Sequence, residues 1–350
     1  MCEALGRTGA RVELVVPNRK NTIIDDPFEY WQVERVFSIK KIMVLDLLPF
    51  PYVPKRLAFF IESTSFFLSA ILFIKGKPID YIYLRDKELT PLVFFTKIPV
   101  IFEVHVIPNF LKLYLPIFRR MHTLGPITNH SASILIKAGV AESKICILPD
   151  AVDLKKFNLD TPKEILRRES KLPLDKKIIL YAGQLFLWKG VETLLQATSY
   201  FPHDDYVAII VGGSEDDIRK AKRVPHKNVF FAGHRRSKEI PRWLQSADVL
   251  VIPNSGKYAI SQYYTSPMKL FEYMASKVPI VSSNLPSLRE VISEKEAVFF
   301  KSDDANDLAK AISRILENES LAHSLADAAY EKVKDYTWEK RAHKILNKLQ

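Results

Sequence analysis

Apolar residues run along this chain in short unbroken bursts set between turn residues and helical spacings. In the second half, 178–182, 206–211, 229–232, 248–252, 280–282 and 297–300 are β-branched and aliphatic without alternation. That pattern predicts strands covered on both faces, which means a parallel sheet between two layers of helices. Helical spacings fall between them, at about 190–200, 214–222, 237–246, 267–276 and 286–293, and the last fifty residues read as three helices, 305–317, 321–334 and 338–349. The first half alternates in the same way, with strands at 11–17, 78–85, 99–105, 124–128 and 144–149, and helices at 57–74, 88–96, 109–122 and 130–138. Short elements are expected around 31–36 and 43–47.

The polar, proline-containing stretch 153–177 divides the alternation and reads as a linker. The fold class predicted is α/β, two doubly wound Rossmann-like domains over 1–160 and 161–336, with the helix at about 337–350 packing back on the first. Such halves place a ligand cleft at the carboxyl ends of their strands. The opening is irregular: the helix at 1–10 runs straight into a strand, where an alternating chain would put a strand first. The expectation is a first domain lacking its first strand, with low stability or activity for the chain as it stands. The segment 57–74 is about as long as a membrane span. Glu62, Ser63, Thr64, Ser65 and Ser69 interrupt it, which suits a buried or interfacial helix better.

Charge changes the picture more than size does. A net charge of +11 and a pI near 9.3 call for an anionic partner. Lysine and arginine are spread without a long basic run, so nucleic acid is not favoured. Lys40, Lys41, Lys55, Arg56, Arg119 and Arg120 lie near apolar stretches, as a domain resting on an anionic membrane face would have them, or as any solvated basic surface would. Cys2 and Cys146 have neither disulfide nor metal spacing and fit a reducing cytosol.

The candidate chemistry concentrates at 266–275. Ser266 reads as an N-cap and Pro267 as the first helical residue, ahead of Met268. The open amides and dipole of such a start seat an anion, and Lys269 adds charge. Glu272, about 9 Å further along the axis, is spaced to accept hydrogen bonds from a ribose diol. Three strand ends carry glycine: Gly183 with Gln184 and, further on, Lys189; Gly212 with Gly213; and Gly233 with His234 and Arg235. Each alone is a turn, but with the 266–275 helix they bring four strand–helix junctions of one sheet to phosphate-binding chemistry. His105 closes an apolar strand behind Glu103, where a histidine is either structural or able to meet a sugar hydroxyl. The sequence has no metal-ligand spacing, Walker loop, Asp-x-Asp, nucleophile elbow or strand followed by G-x-G-x-x-G, which disfavours a nicotinamide dehydrogenase.

These residues resemble the retaining glycosyltransferases of the GT-B fold, family 4. The resemblance runs through Ala4-Leu5-Gly6-Arg7-Thr8-Gly9-Ala10-Arg11-Val12 and Val152-Asp153-Leu154-Lys155-Lys156-Phe157, then the loop 183–190, Gly212-Gly213, Ala247-Asp248-Val249 with Pro253, and the 266–275 helix, which is similar to the "SPLKLFEYMA" variant. It implies that Glu272 binds the nucleotide ribose and that Ser266 to Lys269, with Lys189, hold the diphosphate. Gly233 to Arg235 would border the base, and His105 would meet the donor sugar. It further implies a nucleotide diphospho-sugar donor, a glycan or lipid-linked acceptor, retained configuration, no metal or other cofactor, and work in the cytoplasm, at the inner membrane face if peripheral. Departures stand at Gln184, where the family has arginine, at Tyr264, where its first glutamate falls, and at Ala151 in place of glycine. Gln184 and Tyr264, with the missing start, keep open a truncated, non-catalytic nucleotide-sugar binder, and the shared fold keeps open a sugar-nucleotide epimerase.

Overall fold

The computed structural model describes residues 1–20, 25–201 and 204–349. They form two compact units, Met1–Leu148 with Trp338–Gln350, and Pro149–Thr337. The division therefore falls at 148/149 rather than near 160. The stretch after Pro149 joins the second unit because Val152 and Phe157 are buried in its core and Val152 N–H donates to Tyr336 O.

The first unit holds two pieces of parallel sheet. β1 (Glu13–Pro17) pairs with β2 (Ser38–Ile42), and β3 (Ile82–Leu84), β4 (Val100–Val104) and β5 (Thr123–Pro126) form the other piece in that order. Among the described residues no strand pairing joins the pieces. β4 is buried at every position and carries the core, where Phe102 and Val104 pack with Phe66, Phe118, Leu124 and Leu135 from the surrounding elements. Thr128 caps the Asn129–Lys137 helix by accepting the Ser131 N–H. The Trp338–Leu349 helix packs here, with Ile345 against Ile101, Cys146 and Leu148.

Three readings of this half are corrected. The short element expected around 43–47 is instead a strand at 38–42; Ser38-Ile39-Lys40-Lys41-Ile42 is polar because only Ile42 is buried. Residues 144–149 form no strand, although Cys146 and Leu148 donate to Leu124 O and Pro126 O beside β5. The helix expected at 88–96 is a 3-10 helix, Lys87–Phe94, in which Pro91 has no N–H to give.

The second unit is a single six-stranded parallel sheet of β6 (Lys177–Ala182), β7 (Tyr206–Val211), β8 (Val229–Gly233), β9 (Val249–Ile252), β10 (Ile280–Ser283) and β11 (Ala297–Phe300). Its order is β11-β10-β9-β6-β7-β8, so the winding reverses between β6 and β9. Alternate residues of β6 feed two separate cores: Ile178, Leu180 and Ala182 on one face, Ile179 and Tyr181 on the other. This two-sided burial is why these strands read as unbroken apolar runs. Asp248 ties the far end of the sheet together, accepting from Arg167 at 2.6 Å, Lys163 at 3.1 Å and Ile178 N–H at 2.7 Å.

Candidate functional site

In a doubly wound sheet the ligand crevice lies beyond the carboxyl ends of the two strands at the reversal, here β6 and β9. The loops leaving those strands are stitched to each other. Ser255 N–H donates to Trp188 O at 2.9 Å, and a Cβ on Gly190 would stand 1.9 Å from Pro253 O. Gly190 also has φ +64, so both its conformation and its contact require glycine. Lys189 is thereby fixed at the start of the Val191–Ala197 helix. The Met268–Ala275 helix follows β9 and brings Lys269 and Glu272 to the same edge.

Lys269 is buried, its Nζ 4.3 Å from the centroid of the Tyr181 ring and without a hydrogen-bond partner. Burial pushes its pKa well down, and the charge of Lys189 pushes it further. Burial also lowers Lys189, against the pull of Glu272. Glu272 is half-buried, and burial together with repulsion from Asp150 raises its carboxyl to about 7, against the pull of Lys156 and Lys189. Among the described residues none of these three side chains forms a salt bridge. Two lysine amines and a glutamate carboxyl, one of them buried and two half-buried, are thus left for something else to satisfy. A polyanion carrying a diol matches that set.

The helix start differs from the sequence reading. Pro267, not Ser266, is the capping residue, with extended backbone and no side-chain cap. Ser266 Oγ instead accepts the N–H of Asp150 at 2.9 Å, tying the 149–157 stretch to the helix that carries Glu272. Met268 is exposed beside the buried Lys269.

The glycine junctions lie side by side along the same edge. Gly183 N–H donates to Val211 O and Gly212 N–H to Gly233 O, and a Cβ on Gly212 would stand 2.2 Å from Gly183 O. Gly212 is therefore already required by backbone packing, whatever it binds. Gly213 follows it at φ +79, over Leu185. Gln184 and His234 are exposed; Arg235 lies over the Trp243 ring at 5.0 Å. Tyr264 is half-buried, edge-on to Tyr263.

Three residues at this edge escaped the sequence reading. Asn254 is fully buried with neither its amide oxygen nor its nitrogen hydrogen-bonded. Asp150 acts on Glu272 from outside the expected second domain. Tyr181 provides the aromatic face under Lys269 and donates to Gln184 O at 2.7 Å. Only Asn254 left a signal, as part of the turn cluster Pro253-Asn254-Ser255-Gly256 directly after a strand.

His105 belongs to the first unit, at the end of β4. Its Nε2 lies 2.6 Å from Glu103 Oε1 and 3.0 Å from an Arg85 nitrogen. Glu103 is fully buried; Arg341 at 3.1 Å and Arg85 at 3.4 Å share the same oxygen, while Tyr83 donates to the other. Burial by itself would raise the Glu103 carboxyl, but His105, Arg341 and Arg85 outweigh it and hold it well below the usual carboxylate range. Among the described residues no group of three His, Cys, Asp or Glu side chains is arranged to hold a metal ion.

Residues 162–332 match the family model described as glycosyl transferases group 1. The Campylobacter jejuni N,N'-diacetylbacillosaminyl-diphospho-undecaprenol alpha-1,3-N-acetylgalactosaminyltransferase is 28% identical over 233 residues, 64% of this chain and 59% of that protein. The chain spans about half the length of the curated relatives it matches. Sucrose-phosphate synthase from Thermosynechococcus elongatus superposes with a TM-score of 0.77 at 20% identity, covering 99% of this chain and 90% of that one. Anabaena HepE in complex with UDP-glucose gives 0.73 at 14%, covering 97% and 99%. The match to the group 1 glycosyltransferase model thus covers just under half of the chain, and the chain as a whole has the GT-B fold of these solved structures.

Proposed function

We propose that this protein is a retaining glycosyltransferase of family 4, moving a hexose-type sugar from a nucleotide diphospho-sugar to a glycan or lipid-linked acceptor in surface polysaccharide or glycolipid synthesis. The observation that carries the reading is the unpaired trio of Lys189, Lys269 and Glu272 at the β6/β9 edge. The two lysines and the amides of the 268–275 helix stabilise the diphosphate as it leaves, supplying charge that a divalent ion would otherwise bring. Glu272 accepts hydrogen bonds from the ribose. The acceptor hydroxyl attacks from the face of the departing diphosphate, which takes its proton, and His105 orients the donor sugar. Support for the donor class comes from UDP-glucose bound by Anabaena HepE, and for a lipid-linked acceptor from the name of the Campylobacter transferase. A cytoplasmic, membrane-peripheral place of work belongs to the same reading.

The test is donor hydrolysis and transfer by Lys189→Ala and Glu272→Ala chains, after a thermal-shift screen against a panel of nucleotide sugars. Turnover equal to the parent in both variants overturns the assignment. Binding without turnover in the parent favours the non-catalytic binder, and an altered sugar nucleotide formed without acceptor favours the epimerase.

A further inference from the structure

The Lys55–Ile74 helix of the first unit has two apolar faces and protein to cover only one. Ala58, Glu62, Phe66 and Ala70, four residues apart, face inward, and Phe66 and Ala70 join the core around β4. The opposite stripe holds Leu57, Phe60, Leu68 and Leu72, all at least half exposed, with Leu72 at 72%. The turn before it presents Tyr52 at 96% exposure. Exposed Thr64 interrupts the stripe between Phe60 and Leu68, yet this much apolar surface along one helix face marks an interaction site.

The charges around the stripe select its occupant. Exposed Lys55 and Arg56 open the helix and exposed Lys75 follows its end, while Lys77, next in line, is paired with Glu13 at 3.7 Å. The one acid on the helix, Glu62, is buried and paired with Arg19. Pairing with a second copy about a two-fold axis would set cations against cations, whether the helices run parallel or antiparallel, with no exposed acid on either to offset them. An anionic lipid surface complements both the stripe and its ends. Crossing the bilayer is a different matter, because the inward face is bound along its length. Ser65 accepts Leu45 N–H at 2.9 Å, Ser69 donates to Met43 O at 2.7 Å, and Glu62 holds Arg19. A spanning helix would have to give up all three.

We infer that this helix lies in the plane of an anionic membrane surface, its Leu57–Leu72 stripe sunk among the acyl chains and its terminal lysines and arginine at the phosphates. The inference rests on the first unit alone and stands whether or not the proposed sugar transfer is correct. Cosedimentation of the full chain with vesicles of three parts phosphatidylcholine to one part phosphatidylglycerol tests it. Binding is expected to fall at least about tenfold in a Phe60→Asp/Leu68→Asp chain, and to fall severalfold in a Lys55→Glu/Lys75→Glu chain on these vesicles. Both pairs are on the surface, and an unchanged melting curve and nucleotide thermal shift confirm that each variant is folded. No vesicle binding by the parent overturns the inference, as does parent-like binding by the aspartate variant. A concentration-dependent dimer abolished by Leu68→Asp would assign the stripe to a second copy, and resistance to carbonate extraction would assign the helix to the bilayer interior; either result also overturns it.

Discussion

His105 Nε2 and Glu103 Oε1 lie 2.6 Å apart, on a carboxylate that Arg341 also contacts at 3.1 Å. One fully buried acid thus fixes the imidazole at the strand end and anchors the final helix through Arg341, which also donates to Leu148 O at 3.1 Å. Glu103→Gln removes the buried negative charge that His105 and Arg341 face. Urea unfolding is expected to show a loss of about 3–5 kcal/mol. The sign with pH follows from the depressed carboxyl: its contribution is present above the ordinary value of 4.5 and is lost as pH falls through the folded value. The parent therefore loses stability on acidification more steeply than the Glu103→Gln chain. Equal acid slopes for the two would show that the carboxylate is not held by these partners.

Glu272 gives the opposite sign. Its folded pKa of about 7 lies above the ordinary 4.5, so the folded state holds the extra proton between those values. Its contribution to stability is present below about 4.5 and lost as pH rises through about 7. In the proposed donor complex the ionised carboxylate is the stronger acceptor for the ribose hydroxyls, so donor affinity runs the other way. Calorimetric titration with whichever nucleotide sugar the thermal-shift screen selects should weaken by up to about tenfold per pH unit as pH drops below about 7. A Glu272→Gln chain binds more weakly at pH 8 and shows none of that dependence. A parent affinity flat from pH 8 to 6 would remove Glu272 from the ribose.

How much of this was legible in the sequence depended on whether a residue's partners were near in the chain or buried on both sides. All six strands of the second unit lie within one residue of where uninterrupted apolar runs put them; in five of them burial on both faces leaves no polar face to blur the ends, while edge strand β8 keeps an apolar run although Phe230 is 47% exposed. β2 failed that test, its lysines facing water. Ser266 was read as a cap from its neighbours, yet its hydroxyl serves Asp150, 116 residues away, and no local pattern reports such a bond. A still longer separation hid Arg341 behind Glu103. The lysines and glutamate of the candidate site could be read together because their spacing is local to one helix and one loop. Asn254 was missed because an unsatisfied amide is a fact of packing.

The stitching of the two loops at the sheet reversal makes Gly190→Ala informative. A methyl there meets Pro253 O at 1.9 Å, and the backbone stands at φ +64. Loss of more than about 1 kcal/mol is expected from the αL conformation and displaced carbonyl together. Because Lys189 is the preceding residue, nucleotide-sugar affinity should fall as well. Chemical denaturation alongside calorimetry reads both, and an unchanged Tm would mean that the loops part without cost.

Lys269 separates stability from function most sharply. Its ammonium is buried over Tyr181 with no acceptor, and burial pulls its pKa far down. With folded pKa below the unfolded value, the unfolded state binds more protons, so this group costs stability at neutral pH and the cost shrinks as pH rises toward about 10.4. Lys269→Met keeps the length and removes the charge. The free protein should gain stability, by about 1–3 kcal/mol in line with other buried charges replaced by apolar groups. If the lysine is kept for a diphosphate, the same variant loses at least about tenfold in affinity for the nucleotide sugar that the thermal-shift screen selects, the trade expected where a strained group serves a ligand. Thermal melts with and without that nucleotide sugar measure both terms at once: the free variant melts higher than the parent, and the ligand-induced rise shrinks. A variant that gains stability and keeps its full ligand shift would leave Lys269 without a part in donor binding.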